Sequence, residues 1–295
     1  MNARIGFLGF GEAASAIAGG IWRDHRLHAV AYDVVLSTPD RAGALLDRAA
    51  AVGVTLLEST ARLAEAADLI LSAVVASRAA DAAASIAPHL GPAHLYADLN
   101  SVAPATKVRV HECVTARGAR CVDLAVMQAV ARHAQGVPML AAGKAADELR
   151  ARLEPLGFRI EVVGEEIGQA AAIKMFRSIL VKGMEALFLE CLEAASTYEV
   201  EDRVLVSLQE SMPGMDWIGQ AAYLTGRTAA HGDRRVAELR EVAATLRDLE
   251  IEPIMAEAAA ARLHASAPRL ARRYRAHPPA TPEEAVRVFR KGARP

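Results

Sequence analysis

Aromatic residues make up only 4% of this 295-residue chain, and cysteine occurs three times, at Cys113, Cys121 and Cys191. An odd number of thiols without C-x-x-C spacing argues against a disulfide framework and against a thiolate metal centre, so reduced, partly buried cysteines are expected. The histidine pairs His25/His28 and His89/His94 have no cysteine or carboxylate to complete a metal shell, and no metal is expected. Charge of one sign is also missing. The formal net charge is −1 with acids and bases interleaved, which leaves no basic face for a polyanion, and few aromatics are available to stack on bases, so nucleic-acid binding is not expected. No apolar run approaches the roughly 20 residues of a membrane span. Glu12 and its neighbouring glycines interrupt the one segment after Arg4 that resembles a secretory leader, so a cytoplasmic location is expected.

What the chain does have is a glycine turn close to its start. An apolar strand over residues 4–9 runs into Gly9-Phe10-Gly11-Glu12-Ala13-Ala14 and then an alanine-rich helix over about 12–22. In a dinucleotide-binding turn the first glycine permits a sharp bend. The second lets the backbone approach a pyrophosphate, and the third small residue, here Ala14, lets helix and strand pack closely. The helix N-terminus then directs its amides at the phosphates. A second apolar strand ends in Asp33, about 20 residues on, where such a unit places the acid that binds the adenosine ribose. A carboxylate there favours NAD over NADP, and Arg41 stands too far along to reverse that lean.

The first half alternates apolar runs, near 4–9, 28–33, 69–75, 94–98, 119–126 and 137–142, with helical patterns near 39–52, 59–66, 78–86 and 104–116. That alternation predicts an α/β fold, a mostly parallel Rossmann-type sheet covered by helices. From Glu165 a long helix runs to about Ser196 and divides the halves. Helices follow near 199–211, 216–224, 233–249, 253–266 and 282–290, with a basic, Pro-rich tail. The expected organisation is a dinucleotide-binding domain over 1–164 and an all-helical domain over 165–295.

The order of four motifs resembles the β-hydroxyacid dehydrogenase and 6-phosphogluconate dehydrogenase superfamily along essentially the whole chain. They are the glycine turn; Asp98-Leu99-Asn100-Ser101-Val102-Ala103-Pro104, similar to the family's D-x-(N/S)-(S/T)-x-x-P; Cys121-Val122-Asp123-Leu124-Ala125-Val126-Met127; and Gly168-Gln169-Ala170-Ala171-Ala172-Ile173-Lys174, similar to G-x-(G/A)-x-x-x-K. The resemblance implies that Asn100 and Ser101 lie beside the nicotinamide ribose and that Lys174 is catalytic. Simple chemistry agrees. A lysine facing a cleft has its pKa lowered by desolvation and can exchange a proton with a hydroxyl or a nascent alkoxide.

Two departures from the family pattern affect the substrate side. Ser178 stands where many relatives have a substrate-binding asparagine, and Met127-Gln128-Ala129 replaces a Ser-Gly-Gly run whose amides hold a carboxylate. The pattern looks like the branch with a poorly characterised, phosphogluconate-dehydrogenase-like C-terminal domain. Ser178, Arg177, Gln128 and the cluster His231-Gly232-Asp233-Arg234-Arg235 are the candidate substrate ligands, since adjacent guanidiniums can grip a carboxylate or phosphate by paired bonds. The plainer role for Arg234 and Arg235 is ion pairing with residues such as Glu238. Relatives build part of the site from a partner subunit, so the resemblance implies a homodimer through the C-terminal helices.

These readings predict an oxidoreductase using NAD or NADP on a small anionic 3-hydroxy acid, with decarboxylation following where the product is a β-keto acid. Imine reduction on the same fold is the alternative, against which the presence of Lys174 argues. A non-catalytic NAD(P)-binding sensor or scaffold is the other, motivated by the altered loop at 127–129.

Overall fold

In the computed structural model, residues 4–274 and Glu284 are described, without the side chains of Pro39 and Arg41. The helix expected over 282–290 and the tail lie outside the described residues apart from Glu284. The first half forms strands β1 (Ile5–Leu8), β2 (Ala29–Tyr32), β3 (Val54–Leu56), β4 (Leu69–Ser72), β5 (Leu95–Asp98), β6 (Arg120–Val126), β7 (Pro138–Ala142) and β8 (Arg159–Gly164). They make one sheet in the order β3-β2-β1-β4-β5-β6-β7-β8. Every pairing is parallel except β6 with β7. The helices are α1 (Glu12–His25), α2 (Pro39–Ala50), α3 (Thr60–Ala66), α4 (Ala79–Ile86), α5 (Pro104–Thr115) and α6 (Ala146–Leu153).

Strands β1, β4 and β5 are buried along their whole length, as continuous apolar runs must be when both faces of a parallel sheet are covered. One core, with Phe7, Phe10, Ile17, Leu71 and Leu149, lies on one side; another, with Leu8, Leu63, Ile70, Tyr96 and Val114, lies on the other. The order reverses at β1, whose neighbours are β2 and β4. Loops leaving the carboxyl ends of β1, β4 and β5 therefore meet at a switch point, where a doubly wound sheet opens a crevice.

Helix α7 (Gln169–Ser196) follows, then α8 (Glu201–Ser211), α9 (Trp217–Asp248) and α10 (Ile254–Tyr274). The chain divides into two compact units at Lys174/Met175, inside α7. In the second unit Leu189, Leu239, Leu246, Leu263 and Leu270 share a core. Two details of this helical unit differ from the sequence expectation. The segments expected as helices over 216–224 and 233–249 are one helix in which only His231 leaves helical geometry, at φ −138° and ψ 22°. Helix α10 continues through Pro268 instead of ending before it. No helix among the described residues is long and apolar enough to cross a membrane.

Candidate active site

Gly9 has φ +85°, and its N–H donates to Tyr32 O at 2.8 Å, tying the turn to the end of β2. A Cβ on Gly9 would stand 2.6 Å from Val74 Cγ1 and 2.9 Å from Ala73 O, so the bend requires glycine. Gly11 is different. It caps α1 at φ −80°, with no side chain bonding to the first turn, and a Cβ there would meet nothing within 4 Å. The amides of Glu12, Ala13 and Ala14 precede the first intrahelical bond, from Ser15 N to Gly11 O. An open approach, a bare backbone and a helix N-terminus fit a pyrophosphate. Ala14 is buried, while Glu12 and Ala13 are exposed.

Asp33 joins this turn. Its Oδ2 accepts from Phe10 N at 2.7 Å and its Oδ1 from Val35 N at 2.9 Å, which places the carboxylate beside the glycine loop at the end of β2. Arg48 adds a bond from Nη1 to Phe10 O at 3.3 Å.

The loop after β5 carries the second group. Asn100 is buried, and its side chain is committed to the protein. Oδ1 accepts from Val74 N at 2.7 Å, while Nδ2 donates to Ser72 Oγ at 3.0 Å and to Asp98 Oδ1 at 2.6 Å. Asn100 thus shapes the ends of β4 and β5. Its neighbour Ser101 is exposed and accepts from Lys174 Nζ at 2.6 Å. Residues 73 positions apart in sequence meet because the start of α7 returns to the carboxyl end of β5.

Beneath the loop lies a cluster that sequence reasoning missed. Lys107 Nζ donates to Asp98 O at 2.6 Å and stands 3.3 Å from both Asp98 Oδ2 and Asp123 Oδ1. A signal existed: Lys107 shares a face with the buried Val110 and Val114 of α5, an odd position for a solvated lysine. Asp123 Oδ2 accepts from Ala171 N at 2.9 Å and so anchors the start of α7. Burial, reinforced by the Asp98 charge, pushes the nearby Cys121 thiol well above its usual range, which makes it a core residue and not a nucleophile.

The segment after β6 folds into two short turns, Val130–Arg132 and Ala134–Gly136, with Gln128 and Ala129 exposed. Gln135 is buried against α1 and donates to Asp24 Oδ2 at 2.7 Å. Hydrogen bonds from Arg23 and Gln135 hold the Asp24 carboxyl down at about 2.

In the helical unit, Ser178 Oγ accepts from Lys182 Nζ, Lys182 pairs with Glu238 at 2.9 Å, and Glu238 stands 3.7 Å from Arg234. Ser178 and Arg234 are therefore linked through Lys182 and Glu238, neither of which the sequence singled out as a site residue. Burial lowers the Lys182 pKa, against the opposing pull of Glu238. Arg235 is taken up structurally: it is buried and forms a two-bond pair with Glu185, which also accepts from Thr228 Oγ1. His231 and Arg234 are exposed near the α9 kink, beside a cavity of about 640 Å³ that Arg272 also lines. Arg177 is exposed on α7.

Two family models match. The NAD binding domain of 6-phosphogluconate dehydrogenase matches residues 4–164, and a domain of unknown function (DUF1932) matches residues 195–266. A conserved hypothetical protein from Sinorhizobium meliloti is 39% identical, with 98% of this chain and 96% of that one covered at a TM-score of 0.82. A conserved protein of unknown function, described as structurally similar to 3-hydroxyacid dehydrogenases, is 31% identical over 89% of this chain and 96% of its own, with a TM-score of 0.76. The Mycobacterium tuberculosis 3-hydroxyisobutyrate dehydrogenase with L-serine shares the fold at 16% identity and a TM-score of 0.73, covering 99% and 100% of the two chains.

Proposed function

Since the chain belongs to the family of the 6-phosphogluconate dehydrogenase NAD-binding domain, we propose that it is an NAD-dependent oxidoreductase interconverting a hydroxyl and a carbonyl on a small anionic 3-hydroxy acid or related compound. The observation that carries this reading is the 2.6 Å hydrogen bond from Lys174 Nζ to Ser101 Oγ. It holds an ammonium on the loop at the carboxyl end of β5, beside the switch-point crevice. When bound, the nicotinamide supplies or accepts the hydride. The chain's own residues handle the proton: Lys174 gives one to the nascent alkoxide during reduction and takes one from the hydroxyl during oxidation. Ser101, accepting from Lys174, has its own hydroxyl proton to donate to the substrate oxygen.

Asp33 supports NAD. Its two oxygens accept one backbone amide each, which leaves lone pairs for the ribose hydroxyls, whereas a 2′-phosphate would meet like charge. For the substrate anion we favour Arg177, Ser178, Gln128, His231 and Arg234, and leave out the buried Arg235. A homodimer through the helical unit is part of the same proposal. Leu180 and Leu187 are 73% and 60% exposed at heptad spacing on α7, and Gly183 between them has open space where a Cβ would be.

The test follows nicotinamide absorbance with NAD or NADP and a panel of 3-hydroxy acids, phosphorylated sugar acids and 2-amino-3-hydroxy acids. Turnover that Lys174→Ala abolishes while NADH affinity persists is the expected result. Wild-type activity in that variant refutes the proton role. Cofactor binding without turnover across the panel replaces the enzyme reading with a sensor or scaffold.

A further inference from the structure

Lys107 has no part in the reaction just proposed, yet it lies directly under the loop that carries it. Its side chain and those of Asp98 and Asp123 are 1%, 1% and 0% exposed, so one ammonium and two carboxylates are withdrawn from water together. A well-packed apolar trio is generally at least as stable as such a cluster, so stability alone is a weak reason for these charges. Geometry offers a stronger one. From Lys107 one arm runs through Asp98, whose Oδ1 accepts from Asn100 N at 2.9 Å and from Asn100 Nδ2, fixing the residue next to Ser101. The other arm runs through Asp123 to the Ala171 amide, one turn before Lys174. The Lys174–Ser101 bond joins the two ends and closes a ring. Gly168, at φ +101°, braces it, because its α-carbon face lies against Pro104, where a Cβ would be 3.3 Å from the proline Cβ.

We propose that Lys107 is a positioning residue for Lys174: by holding Asp98 and Asp123 together it sets the start of α7 against the Asn100–Ser101 loop and so aims the Lys174 ammonium. The proposal rests on the reading of Lys174 as the proton donor and acceptor. Asp123 is the second element of the device and Asp98 the third.

The experiment compares Lys107→Gln, Lys107→Arg and Asp123→Asn with the wild-type full-length protein by two readouts. The first is the split between kcat and KM, together with NADH affinity. The second needs no substrate: the pH profile of Lys174 acylation by acetic anhydride, followed by mass spectrometry. Folded Lys107→Gln is expected to lose roughly 10- to 100-fold in kcat, the scale of a reacting group displaced by about 1 Å, with NADH affinity nearly unchanged. Its Lys174 acylation profile shifts, and Lys107→Arg recovers part of both properties. If Lys107→Gln fails to fold, Asp123→Asn carries the same expectation, because asparagine keeps the size and the acceptor for Ala171 N–H but removes the ion contact. Folded variants with wild-type kcat and a wild-type acylation profile overturn the proposal. If no substrate is turned over by any form, the oxidoreductase reading fails on its own, while a shifted acylation profile still supports Lys107 as the residue that places Lys174 and an unshifted one still refutes it.

Discussion

Alanine at Gly9 and alanine at Gly11 should fail in opposite ways. At Gly9 the backbone is at φ +85°, and the new Cβ would stand 2.6 Å from Val74 Cγ1 and 2.9 Å from Ala73 O. Strain of about 1–3 kcal/mol for a non-glycine residue there adds to an overpacking cost of about 1–3 kcal/mol. The sum, about 2–6 kcal/mol, corresponds to a fall in Tm of roughly 4–20 °C for a chain of this size. At Gly11 the backbone is at φ −80°, open to any residue, and the Cβ would enter empty space. Stability should change by about 1 kcal/mol or less, the usual difference between glycine and alanine at a helix cap. That empty space is where the pyrophosphate is proposed to lie. Losing even one charge-assisted amide–phosphate bond, about 1.5–3 kcal/mol, weakens NADH binding by roughly 10- to 150-fold. Differential scanning fluorimetry and an NADH fluorescence titration on both variants separate the two effects. NADH affinity unchanged in Gly11→Ala, or a wild-type Tm in Gly9→Ala, would refute the assignment of roles to the turn.

Three further perturbations follow from the same structure. If the chain prefers NAD as proposed, Asp33→Asn should narrow that preference by improving KM for NADP, and steady-state kinetics with both cofactors would count against the ribose role if the ratio did not move. Glu185→Leu should destabilise the helical unit by about 3–5 kcal/mol because it strands the buried Arg235, and Glu185→Leu/Arg235→Leu should recover most of the loss; urea melts in which the double variant is no better than the single one contradict this. Burial alone would raise the carboxyl pKa values of Glu238 and Glu193, but Lys182 in the one case and Arg262 with Arg269 in the other outweigh it and hold both below 4.5. Their contribution is therefore present above that pH and lost as the pH falls through the lowered values, so Tm should drop on acidification below about pH 4.5, less steeply in Glu238→Gln.

How much of this was readable in the sequence depended on whether a residue's role was local. The bend at Gly9, the place of Asp33 at the end of β2 and the core strands were legible because their signals occupy adjacent positions with a fixed period. Strands β3 and β8 were not foreseen. They are the two edges of the sheet; β3 has only three residues, and β8 interrupts its apolar pattern with Arg159 and Glu161, as an edge facing water on one side can. Family membership was readable from the order of four motifs. The partners of those motifs were not, because each pairing is long-range: Lys107 with Asp123, Asp123 with Ala171, Glu185 with Arg235. The arginine pair shows the difference most plainly. Adjacent in sequence, Arg234 and Arg235 read as one clamp, but helical geometry turns neighbours about 100° apart, sending Arg235 into the core while Arg234 stays exposed.

This division has a consequence for substrate choice under the proposed function. The groups that aim Lys174 are buried and bonded several times over, so most changes there disturb the fold as well as the chemistry. Gln128 and Ala129, and Arg132 and His133 after them, are exposed on short turns, and a change there removes little packing. Divergence toward a new anionic substrate should therefore run through the 127–133 turns and the exposed arginines, leaving the proton donor in place. A Gln128→Ala variant should raise KM several-fold with kcat and Tm nearly unchanged. A fall in kcat comparable to that of Lys174→Ala would mean instead that the loop takes part in the chemistry, and the separation between aiming residues and selecting residues would not hold.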